Sequence, residues 1–306
     1  MADTLDGLSG KAFDDLYASE IEPELKRREA ARQQAIQALA LFLLAGVLAV
    51  VIESFVAHSL TNGELNYAPP GFVLITLFGA AFIGYLPIQK VSRGAKADII
   101  TSLCKPLGLT YQAKDFIPTD FRKFLDLRLL PRPDSWTFVD HFAGDRRGRP
   151  FELYEATLIQ GSGKNRRTAF HGQLLRIAFP RPFDGVTVVL RDGGLLSRFE
   201  CPPEMARVAL EDPKFEEIFE AYGTDQVESR VILTPAVMQE LLSLETAFAG
   251  ERLRFAFVDG DVLIAMEGHT RFEIGNMFTT LVDRRRVETV ARDLAAVYRL
   301  IDSLEG

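Results

Sequence analysis

Cysteine is almost missing: Cys104 and Cys201 are the only two in 306 residues, with no Cys-x-x-Cys pair and no histidine beside either. That argues against a disulfide framework and a sequence-local zinc site, and two free thiols in a reducing compartment are expected. A basic excess is missing too. The formal net charge is −7, with 35 Lys and Arg against 42 Asp and Glu. Nucleic-acid affinity depends on Lys and Arg neutralising phosphates, so no nucleic-acid partner is expected. Nor does the chain contain the GxGxxG, HExxH, GxSxG or calcium-loop spacings, and with them go the common dinucleotide, zinc, acyl-enzyme and EF-hand chemistries. No cofactor and no metal are expected, and no catalytic residue can be assigned.

Charge itself is absent from two stretches, residues 37–52 and 69–88. The first lies in an apolar run over 36–57, and about 22 helical residues at about 1.5 Å each cross a hydrocarbon core. The second run, 71–88, sits at the short end of the spanning range, with Pro69 and Pro70 where a helix start tolerates proline and Pro87 expected to close it. A cleaved signal peptide would need a shorter apolar stretch nearer the start and no second span. Lys26, Arg27, Arg28 and Arg32 precede the first span and Lys90, Arg93 and Lys96 follow the second, while residues 58–68 hold no Lys or Arg. The positive-inside bias therefore places both termini in the cytoplasm. Ala45 with Ala49 and Ala80 with Gly84 offer small-xxx-small faces for helix contact, and Glu53, about one turn from the outer end, is expected to snorkel.

The expected organisation is α+β: a juxtamembrane arm over 1–35, a transmembrane hairpin over 36–88, and one cytoplasmic domain over 97–306 with a mainly antiparallel sheet and packed helices. In the arm, apolar positions at Phe13, Leu16, Tyr17 and Ile21 have helical spacing up to Pro23. Short helices are expected at 97–103 and at 119–127, the latter capped by Thr119. Segments 137–142, 150–159, 169–179 and 186–190 are rich in aromatic and β-branched residues between turn-prone loops and read as strands. Asp212-Pro213 and Thr234-Pro235 pair a cap with a proline and start helices over 213–221 and 235–248. Residues 253–266 alternate on both sides of Asp259-Gly260, a strong hairpin signal. Val287, Val290, Leu294, Val297, Ile301 and Leu304 then form a stripe at three- and four-residue steps, fit either for the sheet or for a partner helix.

Phe170-His171-Gly172, Phe179-Pro180-Arg181-Pro182-Phe183, the run from Tyr222 to Glu228 and Leu233-Thr234-Pro235 resemble signature segments of a bacterial membrane-anchored family, domain of unknown function 3137. The resemblance covers roughly residues 97–304 and includes the preceding pair of membrane helices. It implies a bacterial inner-membrane protein and brings no activity with it.

Candidate sites are few. Gly161-Ser162-Gly163-Lys164-Asn165 has Leu158 and Asn165 where a phosphate loop needs Gly and Ser or Thr, and reads as a hairpin loop. Asp140-His141 suggests a triad with Ser162 or Ser197, yet nothing positions a nucleophile. His171, beside Gly172, and the polar run Asp225, Gln226, Glu228 with Arg230 are the candidate binding residues. For both, the bland alternative is structural: a satisfied strand histidine, and a capping network that orders a turn. Arg146, Arg147 and Arg149 in one turn and Lys164, Arg166 and Arg167 in the next suit anionic lipid headgroups. Successive turns of an antiparallel meander lie at opposite strand ends, however, so both face a flat membrane only if the sheet bends, and at least one reads as an ordinary solvated loop. The expected function is a membrane-tethered interaction or scaffold module, with a membrane-anchored hydrolase and a lipid-sensing domain as alternatives. Expected partners are the bilayer and a protein, or a second copy meeting the C-terminal helix.

Overall fold

The computed structural model describes residues 10–60, 69–179, 182–191, 204–247, 252–270, 272 and 280–303, with 89–95 by backbone alone. The chain divides into two compact units: residues 13–102 with 274–287, and residues 1–12, 103–273 and 288–306.

The first unit is built on long helices. Helix α1 (Gly10–Leu16) runs through a π turn at Tyr17–Ile21 into α2 (Glu22–Leu60). The π turn sits immediately ahead of Pro23, whose missing N–H and ring bulk disturb an α ladder without ending the helix. Helix α3 (Pro70–Cys104) passes through Pro87 and absorbs the short helix expected at 97–103. Pro87 therefore does not terminate it: one lost hydrogen bond does not outweigh apolar helix-forming sequence on both sides. The two helices pack closely, since a Cβ on Gly46 would meet Ala80 and a Cβ on Gly84 would meet Leu39 and Phe42. The Ala80/Gly84 face is thus at the contact, but its counterpart on α2 is Gly46, with Ala45 exposed. Thr76 Oγ1 donates to Glu53 Oε1 at 2.7 Å, so the carboxyl has a partner on the neighbouring helix.

Outside the apolar runs this unit is held by polar clasps. Glu29 accepts from Arg32 at 2.6 Å and from the backbone N–H of Leu281 at 2.9 Å, and Arg284 lies over the rings of Phe13 and Tyr17. The Arg32 bond, with the Leu281 amide, holds the Glu29 carboxyl at about 2, below the ordinary 4.5. A depressed carboxyl stabilises above its unfolded pKa and loses that contribution as pH falls through the folded one. The melting-temperature gap between wild type and Glu29→Gln, measured on the full chain in detergent, is expected to be constant above about pH 5 and to close between about pH 4.5 and 2.

The second unit is α+β. In chain order it comprises β1 (Thr110–Gln112), α4 (Phe121–Asp126), β2 (Ser135–Arg146), β3 (Arg149–Gln160), β4 (Arg167–Ala178), β5 (Thr187–Arg191) and β6 (Ala206–Val208). It continues with α5 (Pro213–Ile218), β7 (Phe219–Gly223), α6 (Gln226–Ile232), α7 (Pro235–Ala247), β8 (Arg252–Val258), β9 (Asp261–Glu267) and α8 (Arg284–Ser303), of which residues from 288 belong here. The nine described strands form one antiparallel sheet in the order β1-β2-β3-β4-β9-β8-β5-β7-β6. Asp259 and Gly260 both adopt positive φ, 51° and 78°, the primed turn that matches strand twist, so the 253–266 hairpin forms as its sequence requires.

Three expectations are corrected here. The helix from Pro213 stops at Ile218, because Phe219–Gly223 pairs with β5 and β6, and sheet pairing overrides local helix tendency. Thr119 does not cap α4; its hydroxyl donates to Glu152 at 2.6 Å and Asp120 holds the N-cap position. The 222–228 run leads into an unforeseen helix, α6, which begins at Gln226.

Alternation along the strands gives the sheet two buried faces. On one, Tyr154, Ala156, Phe170, Leu174, Val188, Ala256, Leu263 and Ala265 pack under Phe124, Leu129 and Leu130 from α4 and the segment after it. On the other, Phe151 meets Tyr298 of α8 edge to face at 5.7 Å, and Phe219 meets both Phe215 of α5 and Phe255. The C-terminal stripe is used within the chain: Val290, Leu294, Val297 and Ile301 are buried, and Arg146 forms a two-pronged pair with Asp302 at 2.8 and 2.6 Å. Leu304 and Cys201 lie outside the described residues, while Cys104 is a free, buried thiol pushed up to about 12 by desolvation.

Candidate functional site

Asp225 is the N-cap of α6. Its Oδ1 accepts from the amides of Val227 at 2.8 Å and Glu228 at 2.9 Å, satisfying donors that the first helical turn leaves open. Gln226 Nε2 donates to the carbonyl of Arg207 at 3.1 Å, and Arg230 Nε donates to that of Ala209 at 3.3 Å, so two of the candidate residues fasten α6 to β6 and the chain beyond it. Ser229 adds a 2.9 Å hydroxyl contact with Thr187 on β5. Glu228 follows the cap at the third position and is also engaged. Arg230 further borders a cavity of about 430 Å³ walled by Leu210, Leu233, Pro235 and Met238.

His171 stands on β4, opposite Thr157 of β3. Its Nδ1 lies 3.0 Å from Thr157 Oγ1, its Nε2 lies 3.1 Å from Thr270 Oγ1, and Glu155 Oε1 is 3.8 Å from Nε2. Thr270 also donates to Glu155 at 3.2 Å, and Gln173, fully buried, donates to the carbonyl of His269 at 2.9 Å. Both ring nitrogens thus face hydroxyls, which fixes the imidazole plane, and Thr270 links the ring to the buried Glu155 carboxylate. Gly172 permits this packing, since a Cβ there would collide with the carbonyl of Met266 on β9.

The structure does not bring the two candidates together. From β4 to β7 the sheet steps across β9, β8 and β5, and four strand spacings amount to roughly 19 Å. Asp140 and His141 occupy the bulge between Val139 and Phe142, where Tyr111 donates to Asp140 at 2.6 Å, whereas Ser162 lies beyond the far end of that ladder, where Ser135 pairs with Ile159, and Ser197 lies outside the described residues. His141 approaches Glu152 to 3.5 Å and, with Thr119, holds that carboxyl at about 2. The 161–165 loop joins β3 to β4 rather than a strand to a long helix, so it lacks the amide array that cradles phosphate.

A cavity that the sequence did not reveal lies at the end of the sheet where β8 begins and β9 ends. It measures about 530 Å³ and is walled by Arg128, Arg132, Arg252, Arg254, Glu267 and a patch formed by Leu125, Leu129, Leu130, Pro131 and Ala169. Arg252 and Arg254 are two apart on β8 and so share one face. Arg254 ties the walls together, donating to Glu267 at 2.7 Å and to the carbonyl of Leu129 at 3.1 Å.

Among solved structures, the crystal structure of the mycobacterial trehalose monomycolate transport factor A, TtfA, is similar at 12% identity and a TM-score of 0.33, over 66% of this chain and 93% of that one. A likeness of that size carries no functional weight. Comparison with curated proteins gave no match. Residues 168–305, from β4 through the C-terminal helix, match the family model described as Protein of unknown function (DUF3137), the family that the sequence motifs resemble.

Proposed function

We propose that this chain is a membrane-tethered binding module, in which α2 and α3 anchor the sheet domain to a bilayer and the domain engages a ligand without turning it over. One observation carries the tether. On helices long and apolar enough to cross a membrane, Phe55, Ile75 and Phe78 are each 71% exposed, and Leu41, Leu44 and Phe82 nearly as much. A soluble protein's core helix would bury such residues, and a contiguous apolar surface of this extent calls for lipid or a partner. The Lys and Arg flanking both runs, against none in residues 58–68, orient both termini and the domain toward the cytoplasm, and a bacterial inner membrane is the bilayer that the family resemblance suggests.

Binding is favoured over turnover because Asp225 and Gln226 are committed to fastening α6, and because His171 is clamped between two hydroxyls. Fractionation tests the tether: the chain is expected to stay with membranes through alkaline carbonate and to leave only with detergent. Release by carbonate alone overturns the anchor. Reporter fusions test the orientation, and an externally active reporter at Gly306 would reverse it.

A further inference from the structure

At the cavity where β8 starts, several arginines meet an apolar wall. Four guanidiniums border it against the single carboxylate of Glu267, and that carboxylate is already taken by Arg254. Arg132 and Arg252 have no ion-pair partner among the described residues. Arg128 stands at the same lip in a left-handed backbone conformation, φ 57°, that L-residues adopt at a cost. In a chain of formal net charge −7, this is a local reversal of sign.

We propose that this cavity binds a phosphate monoester, its dianionic head held by Arg132 and Arg252 and its organic body lying on Leu125, Leu129, Leu130 and Pro131. The proposal deepens the binding-module reading and rests on it for its cellular meaning. Guanidinium forks match phosphate oxygens two at a time, so Arg rather than Lys at these positions favours a planar, multi-acceptor head. The charge matches as well: a phosphate monoester carries about −1.5 to −2 at neutral pH, against two uncompensated cations. A cavity of about 530 Å³ is larger than a bare phosphate needs and falls in the range of small-molecule sites, of about 300–1,000 Å³. Arg254, pinned to both Leu129 and Glu267, keeps the walls at fixed separation, so the site is preformed.

The head has two sources, a soluble organic phosphate or a monoester lipid such as phosphatidic acid, and calorimetry on the full chain in neutral detergent separates them. The probes are glycerol 3-phosphate and dihexanoyl phosphatidic acid, with glycerol and dihexanoyl phosphatidylcholine as controls. Saturable binding of at least one phosphate probe is expected, at least tenfold weaker in Arg132→Gln/Arg252→Gln and undiminished in Arg166→Gln/Arg167→Gln. Preference for the lipid assigns a headgroup, and preference for glycerol 3-phosphate assigns a soluble ligand. Should the double variant misfold, Arg252→Lys keeps the charge, removes the fork, and is also expected to bind at least tenfold more weakly. The proposal is overturned if neither phosphate probe binds, if the cavity variants bind as wild type does, or if the loop variants lose as much affinity. None of these arginines lies on the anchoring helices, so such a failure leaves the carbonate-extraction result, and the tether, untouched.

Discussion

Leu294→Asp is expected to unfold the sheet domain. Leu294 is 1% exposed on α8, in a row with Val290, Val297 and Ile301, and the same helix is fixed to the sheet by Tyr298 against Phe151, by Arg146 on Asp302, and by Arg149 donating to the carbonyl of Ile301 at 2.9 Å. Removing a buried leucine forfeits about 1.5–3 kcal/mol of burial, and a carboxylate in its place adds the cost of an unpaired buried charge. The sum, about 4 kcal/mol or more, is a large part of the 5–15 kcal/mol that holds a typical domain. Thermal unfolding of the full chain in detergent should show the sheet transition lost or greatly lowered, and Leu294→Ala should fall between the two, at about 2–5 kcal/mol. If the stripe instead served a second copy, Leu294→Asp would leave the melting temperature near the wild-type value and abolish self-association.

The elements that the sequence announced are those whose signals are local and repeated. Aromatic and β-branched runs between turn-prone loops marked β2, β3, β4 and β5, and alternation around Asp259-Gly260 marked the β8–β9 hairpin, because a period of two and a primed turn leave few other conformations. The 3.5-residue stripe marked α8, although periodicity could not say whether its partner lay in cis. Signals failed where a tertiary contact decided the outcome. Phe219–Gly223 became a strand because β5 and β6 offered ladders on both sides, and neither ladder is visible from the residues themselves. Pro87 looked like a stop, but the flanking sequence carried the helix past it. Helix α6 had a readable start, an Asp cap with Glu three residues on, and was overlooked because seven residues are too few to show a period.

The candidate site divides in the same way. His171, Asp225, Gln226 and Arg230 stood out as polar residues near turns, and the structure gives each a bonded neighbour within a strand or two. The arginine-walled cavity was invisible because it joins residues 128–132 to residues 252–254, more than a hundred positions apart in the chain. A faint signal existed. Arginines at 252 and 254 in a strand must project from the same face, and two charges on a face that also carries Ala256 and Val258 demand either a partner or an opening to solvent.

The wall of that cavity rests on a charge cluster, and Asp261→Asn is expected to loosen it. Asp261, 5% exposed at the start of β9, accepts from Lys123 of α4 at 2.9 Å and from Arg176 of β4 at 2.8 Å. Asp120 closes the group, 2.7 Å from Arg176 and 3.4 Å from Lys123. Taking one partner from a buried pair leaves the other charges poorly solvated and typically costs about 3–5 kcal/mol. Asp120 remains to share both cations, so the lower end, about 3 kcal/mol, is expected, with a fall in melting temperature of about 6–12 °C for a domain of this size. Asp259 also approaches Lys123, but at 3.8 Å and 73% exposed, and Asp259→Asn should change stability by no more than about 0.5 kcal/mol. Because Lys123 is the clamp on α4, and Leu125 of the same helix lines the cavity, the Asp261 variant should also weaken phosphate-probe binding although every arginine stays in place. A variant that lost stability yet bound the probe with wild-type affinity would show that the cavity wall is held by the Arg254 bonds to Leu129 and Glu267 alone.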